Sequence, residues 1–479
     1  MKIDFEYGPG TLTADLPDNR TDVFIPGETV PDPPALPDPI GATRDAILHP
    51  MNARPLAEVA KPDSKVVIVF PDKVKGGSHD TAHRKVTIPI VLEQLYIAGV
   101  PDRNIRFICS NGLHRKNKPG EIRAIVGYEV YDRLGSINNI VNHDSEDWDN
   151  LVDLGYDDDN NRVIMNREVY ESDIAVMIGH ALGNPYGGYS GGYKHAATGI
   201  VHWRTIASNH NPGVMHSSDF TPVSSKSTMR HKFDFIGRHM EESMGKKFFT
   251  IDAALDTNGR QIAVAAGRTA DVQNATWEVA NRRTYIPWAT QKYDIMVFGM
   301  PQSFHYGDGH GTNPILMLQA ISANVIRHKR VLNDNCVLIA SSVCNGYFHD
   351  DEFGGSYRAL YETFQRDRNY DLPDVERYDE WHCSNPEYVR EYRFNYRFHP
   401  YHAFSMVSCG HIAHEHASRI FIVGAQEPGY ARGMEMKPVA TFEQAFAQAE
   451  RYVGSEPRIL ALPRTFTTAG VHLMMEDES

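Results

Sequence analysis

No disulfide scaffold is open to this chain. Its 5 cysteines, Cys109, Cys336, Cys344, Cys383 and Cys409, are odd in number, widely scattered and without a CxxC pair. That pattern argues against a cysteine framework and against a structural zinc site. No apolar run approaches the roughly 18–20 residues of a membrane span. The opening MKIDFEYGPGTLTADLPDN lacks the apolar core of a secretion signal. A cytoplasmic protein without a membrane partner is therefore expected. Positive charge is in deficit: Lys+Arg 48 against Asp+Glu 61 leaves a net −13, the opposite of a general nucleic-acid surface. The strings GxxxxGK[ST], GxGxxG and HExxH are all missing. Their absence removes the direct sequence warrant for a P-loop, a dinucleotide fold or a zinc hydrolase.

What the chain has is histidine, 23 of them, several in Gly- and Asn-rich loops. The densest stretch is GHALGNPYGGYSGGYKHAATGIVHWRTIASNH, Gly179 to His210. Gly187, Gly188, Gly191 and Gly192 bracket Tyr189 and Ser190, and Lys194 follows. His180, His195, His202 and His210 lie within the same stretch. Just before it, SDIAVMIG reads as a buried strand. A strand thus hands over to a bare loop and then a helix, the arrangement that exposes backbone N–H groups to a ligand. Such a loop is also often only a tight turn.

The 479 residues suffice for two or three domains, and 41% hydrophobic with 23% charged residues describes a globular protein. A hairpin is expected near the start, then an extended Pro-rich connector, VPDPPALPDPIGA. Strands are expected at KVVIVF (65–70), 104–109, 137–141 and 172–179, each ending in a polar loop, with helices between them such as 88–98. A helix over 226–244, a hairpin over 248–264 with an Asn258-Gly259 turn, and a helix over 270–282 follow. YIPWATQKYD reads as a junction. The alternation then resumes with strands at 295–299, 336–341, 419–423 and 458–461, and helices at 314–328, 357–365 and 442–453. This is the pattern of α/β domains with mainly parallel sheets. Two are expected: residues 1–285 binding a cofactor, and 286–479 closing a substrate cleft. Polar loops that follow strands collect at one rim.

Several fragments together resemble the lactate racemase family, enzymes that use a nickel-pincer nucleotide. Ser190-Gly191-Gly192-Tyr193-Lys194 resembles the family's SGGxK, and Ser208-Asn209-His210 stands where the family has a histidine sixteen residues after the lysine. Asn111-Gly112-Leu113-His114-Arg115 is similar to its GLHR string, and Asn142-His143-Asp144 also follows the family's order. The resemblance covers residues 65–285 well and is weak beyond. It implies that Lys194 is covalently tethered to a Ni(II) pyridinium-3,5-bisthiocarboxylic acid mononucleotide, that His210 ligates the nickel, and that His114 is an acid/base. It places Asp72, Ser190, Gly191 and Gly192 at the cofactor. It also implies a small hydroxy-acid substrate and separate cofactor-biosynthesis enzymes as partners. In such chemistry the cofactor accepts a hydride from C2 while a neutral imidazole accepts the hydroxyl proton.

The departures lie at the substrate end. Asn184 stands where the family has a second catalytic histidine, so His180 is the substitute, with His305 or His310 as others. The DxTRP loop reads Asp72-Lys73-Val74-Lys75, leaving Lys75 or Arg84 to replace its arginine. The family's lysine in GGYPKDxNLYQxxK aligns with Gln319. Asn184, His305 and Gln319, with Asp308, His310 and Asn313 nearby, suit a larger, polyhydroxy acid such as an aldonate. His143, His195 and His202 read as structural. The expected function is inversion at C2 of a 2-hydroxy acid. The alternative is a relative that binds the cofactor or nickel without racemisation, and a zinc hydrolase is a distant third.

Overall fold

The structure, a computed structural model, describes residues 1–217, 227–367, 372–467 and 470–478. Short runs of Val, Ile and Phe that are apolar on both faces need cover on both faces, and here they form the centres of two sheets. β1 (Lys2–Gly8) and β2 (Gly10–Asp15) form a hairpin, and β3 (Thr21–Val23) follows. The first sheet is built from β4 (Val66–Phe70), β5 (Ile105–Cys109), β6 (Ile140–Asn142), β7 (Ile174–Ala181), β8 (Phe249–Leu255) and β9 (Gln261–Gly267). Its order is β9-β8-β7-β4-β5-β6, parallel except for the β8–β9 hairpin.

The second sheet uses β10 (Tyr293–Pro301), β11 (Leu332–Ser341), β12 (Arg419–Val423), β13 (Lys437–Val439) and β14 (Ile459–Leu462). β10 pairs in parallel with β11 on one side and β14 on the other, and β12 and β13 extend the β11 side. In each sheet the chain winds outward one way and then returns to the other side of the first strand. The resulting switch points, between β4 and β7 and between β10 and β14, are where ligands enter such sheets. One hydrophobic core joins both sheets, with Val69 and Met177 in the same cluster as Phe298 and Leu460.

The expected boundary at residue 285 needs correction at the N-terminus. β1 pairs with β10 and β3 with β14, so residues 2–23 belong to the second sheet. The cause is alternation: Ile3 and Phe5 face inward from β1 and pack with Val297, Ile339 and Phe442. YIPWATQKYD is more than a junction, since Tyr285–Ala289 is a strand pairing in parallel with His472–Met475. The helix expected from residue 226 spans Thr228–Met244; residue 226 lies outside the described residues. Between β11 and β12 the single expected helix is joined by four more among the described residues, Asp350–Phe353, Leu372–Cys383, Pro386–Phe394 and Pro400–His416. Pro400–His416 packs on Pro314–His328 and is buried nearly all round, so it carries no amphipathic stripe for periodicity to detect. All five cysteines are free and buried. Among the described residues no helix is long and apolar enough to cross a membrane.

Phe5 is fully buried, its ring tilted against that of Phe442 with centroids 5.5 Å apart. Phe5→Ala is expected to cost about 3–5 kcal/mol, read as a lower midpoint of urea unfolding. An unchanged midpoint would show that the hairpin is not part of the second sheet's core.

Candidate active site

The loops after β4, β5, β7, β10 and β14 line one cavity of about 330 Å³, closed on a further side by the Pro400–His416 helix. Both switch points therefore open into the same space.

The Gly-rich loop is held from behind. The Gly192 N–H donates to Asp252 Oδ2 at 2.7 Å, and the Tyr193 N–H donates to Gln273 Oε1 at 2.8 Å. Gly191 and Gly192 have φ of +79° and +54°, left-handed values that glycine adopts without strain. A β-carbon on Gly192 would also overlap Gln273. The Ser190 hydroxyl donates to His180 O, so it braces the loop. Buried Arg230 donates to Tyr189 O and Gly191 O. Gly191 and Ser190 line the cavity; Gly192 serves as the turn that starts the Tyr193–Gly199 helix. Lys194, on the first turn of that helix, lines the cavity at 9% exposure. Among the described residues it has no carboxylate partner. Burial, followed by the charges of Lys75 and Arg230, pushes its pKa well below the ordinary lysine value. The neutral, nucleophilic form of the amine is thereby favoured.

His114 faces the cavity with its Nδ1 2.6 Å from Asp72 Oδ2. A carboxylate can only accept, so Nδ1 carries the proton and Nε2 is left as the base. Asp72, expected at the cofactor, is thus also the residue that orients His114. The ring is walled by Tyr306, Phe398 and His402. His210 Nδ1 bonds to Asn209 Oδ1, which leaves Nε2 free for another partner. Burial, then Lys194, His114 and Lys75, lowers the His210 pKa to about 3. Among the described residues no group of three or more His, Cys, Asp or Glu is placed to hold a metal. A metal here would have to arrive with donors of its own.

His180, Lys75 and His305 also line the cavity. His180 Nε2 is buried without a hydrogen-bond partner. Burial and the charges of Lys75 and Arg84 hold its pKa well below the histidine norm. Arg84 differs from expectation: it is outside the lining, and its guanidinium donates to Pro71 O, Asp72 O and Gly77 O. It shapes the loop after β4, because three carbonyls left by that turn need donors. Asn184 Oδ1 accepts from the N–H groups of Tyr186 and Gly187, so its oxygen is spent on its own turn. Gln319 Oε1 bonds His310 Nε2 at 3.1 Å. His195 bonds Ser110, His143 bonds Val201 O, and His202 caps the helix from Trp203. Tyr186, Tyr306, His402, Arg283 and Arg327 also line the cavity. Sequence reading passed over them because none stands in a Gly-rich or spaced motif.

Taken together, fold and site define an α/β protein whose two switch points share a cavity built round a buried lysine and a carboxylate-oriented histidine. Residues 7–221 match the lactate racemase N-terminal domain. The chain is similar to lactate racemase of Lactiplantibacillus plantarum, 25% identical over 273 residues, and to that of Thermoanaerobacterium thermosaccharolyticum, 23% identical over 208 residues. These alignments cover 56% and 43% of this chain, and 59% and 46% of the relatives; the chain thus spans about half the length of the curated relatives it matches. In fold it resembles the lactate racemase apoprotein of Thermoanaerobacterium thermosaccharolyticum, with a TM-score of 0.70 and 18% identity over 99% of this chain and 100% of that one. A protein from Thermotoga maritima gives a TM-score of 0.53 at 13% identity, covering 91% and 98% of the two chains. The chain thus resembles the lactate racemases over its N-terminal part, residues 7–221, and shares their fold.

Two outcomes are expected. Asp72→Ala should release the His114 tautomer, visible in ¹⁵N spectra of labelled histidine as loss of the fixed Nδ1–H form; an unchanged tautomer would separate Asp72 from His114. Stability should fall with acid. Burial lowers the pKa of His83 and His143 to about 4, so unfolding takes up protons between pH 6.5 and 4. Their contribution is whole above pH 6.5 and falls on the order of 3 kcal/mol each by pH 4. Urea midpoints should drop from pH 7 to 4.5, and less so in His83→Gln; a pH-independent midpoint would contradict this.

Proposed function

We propose that this protein is a racemase or epimerase that inverts the hydroxyl-bearing C2 of a 2-hydroxy acid. The substrate we favour is a larger, polyhydroxy acid such as an aldonate. The cofactor is a nickel-pincer nucleotide, tethered to Lys194 and supplied by separate biosynthetic enzymes in the cytoplasm. The observation that carries this reading is Lys194 itself. It is a buried amine without a carboxylate partner among the described residues, in one cavity with His210 and the Asp72–His114 pair.

The residues fit such a group. A deprotonated lysine can form the covalent link, and an imidazole nitrogen is a good nickel ligand. The lack of a protein-only metal cage among the described residues suits a metal that brings its other donors along. When bound, the group supplies a reversible hydride acceptor. His114 Nε2 takes the hydroxyl proton as C2 becomes planar and gives it back when C2 is rebuilt; His180 is the proton group for the opposite face. Lys75 holds the C1 carboxylate. His305, together with the amide N–H groups of Asn184 and Gln319, contacts hydroxyls. Arg84 keeps the Asp72 loop in place. Tyr306 and Phe398 exclude water round His114.

A second reading, cofactor binding without turnover, is favoured by Asn184, which offers no base where the family has one. Intact-mass and nickel analysis of protein made alongside the cofactor-producing enzymes separates the two steps. The expected result is a cofactor-sized adduct and about one nickel per chain, both lost in Lys194→Ala. The loaded protein should then wash C2 deuterium into both epimers of its substrate. An unmodified mass under loading conditions would refute the tether. An adduct with no exchange across a panel of hydroxy acids and aldonates would favour the second reading.

A further inference from the structure

The cavity is also lined by two arginines that the proposed reaction does not use. Arg283 closes the Thr269–Thr284 helix, and Arg327 lies in the last turn of the Pro314–His328 helix. Both line the cavity beside Gly470 and the Thr465–Phe466 turn that follows β14. Arg283 is 1% exposed, and its Nη1 donates to Gly470 O at 2.9 Å. Its Nε stands 3.9 Å from Asp32 Oδ1, outside hydrogen-bond range, and neither Nε nor Nη2 has a hydrogen-bond partner. Asp32 already accepts the Thr257 N–H through its other oxygen. Among the described residues Arg327 has no hydrogen bond and no carboxylate. Its guanidinium packs on Gly470, where a β-carbon would overlap it.

Arg283 thus has one carboxylate nearby, itself outside the cavity lining, and Arg327 has none among the described residues. A buried cation with unmade hydrogen bonds is unfavourable unless an anion completes it, and the planar guanidinium is the group best matched to a carboxylate or phosphate.

We infer that Arg283 and Arg327 form a subsite for a second anionic group on the substrate, at the end opposite C1, so that the preferred 2-hydroxy acid is acidic at both ends. This deepens the racemase reading and rests on it for which end of the substrate reacts. Burial, and repulsion between the two guanidiniums, also lowers the Arg327 pKa to about 10, as expected of a cation waiting for a counter-ion.

The test uses binding, so it does not depend on turnover. Calorimetry on the purified protein compares two matched pairs, glucarate with gluconate and 2-hydroxyglutarate with 2-hydroxypentanoate. Within each pair the backbone is the same and only the far end gains a carboxylate. The doubly acidic member should bind about tenfold more tightly or better. Arg327→Gln and, separately, Arg283→Lys should bring that ratio to within about threefold, with unchanged circular dichroism. Should Arg283→Lys fail to fold, Gly470→Ala displaces the Arg327 guanidinium without removing charge and should have the same effect. Equal binding within both pairs, or a preference that survives in the variants, overturns the subsite. So does a result in which the variants weaken nicotinic acid mononucleotide and not the diacids, which would assign the arginines to a nucleotide phosphate. None of these outcomes touches the Lys194 adduct, so failure here is distinct from failure of the racemase reading.

Discussion

The placement of Lys194 depends on one buried carboxylate accepting one backbone N–H. Asp252 sits on β8 directly opposite Gly179, where β7 is about to leave the sheet. Strand pairing brings its side chain behind the loop, and there it accepts the Gly192 N–H. Burial raises the Asp252 pKa to about 7, against the lowering effect of that N–H and of Arg230. The bond secures a left-handed turn that only glycine fits beside Gln273. The turn in turn starts a helix whose first side chain into the cavity is Lys194. Burial then favours the neutral form of the lysine. Sheet register, a glycine and a desolvated amine are one connected chain of causes.

The second organising feature is the pairing of two switch points. The first, between β4 and β7, gathers Asp72, His180 and Lys194. The second, between β10 and β14, contributes His305, Tyr306 and Phe466. Similarity to the lactate racemases is concentrated in residues 7–221, which carry the first set. The buried lysine and the carboxylate-oriented histidine therefore lie in the part of the chain that matches the lactate racemases, and the second set lies outside that match. The N-terminal hairpin crosses this division, since it is first in the chain yet packs in the second sheet.

Much of this was legible in the amino-acid order. Continuous apolar runs such as VVIVF marked the buried strands, and the glycine loop, Lys194, His114 and His210 stood out by local pattern and spacing. Lys194 and His210 are near in sequence, and GLHR is contiguous, so short strings could carry them. Asp72 was picked out too, although its partnership with His114, 42 residues away, was not. The Pro400–His416 helix escaped because a helix buried on every side has no periodic signal.

The order of residues by itself determined the alternation of strands and helices, the bare loop and the identity of its lysine, because these follow from local backbone freedom and from the period of apolar side chains. Only the tertiary structure decided which carboxylate holds which imidazole, why Arg84 serves a loop, why Arg283 and Arg327 stand together, and that residues 2–23 join the second sheet. Those facts depend on contacts between segments far apart in the chain, and on the loss of water around them, neither of which leaves a mark in a local stretch of sequence.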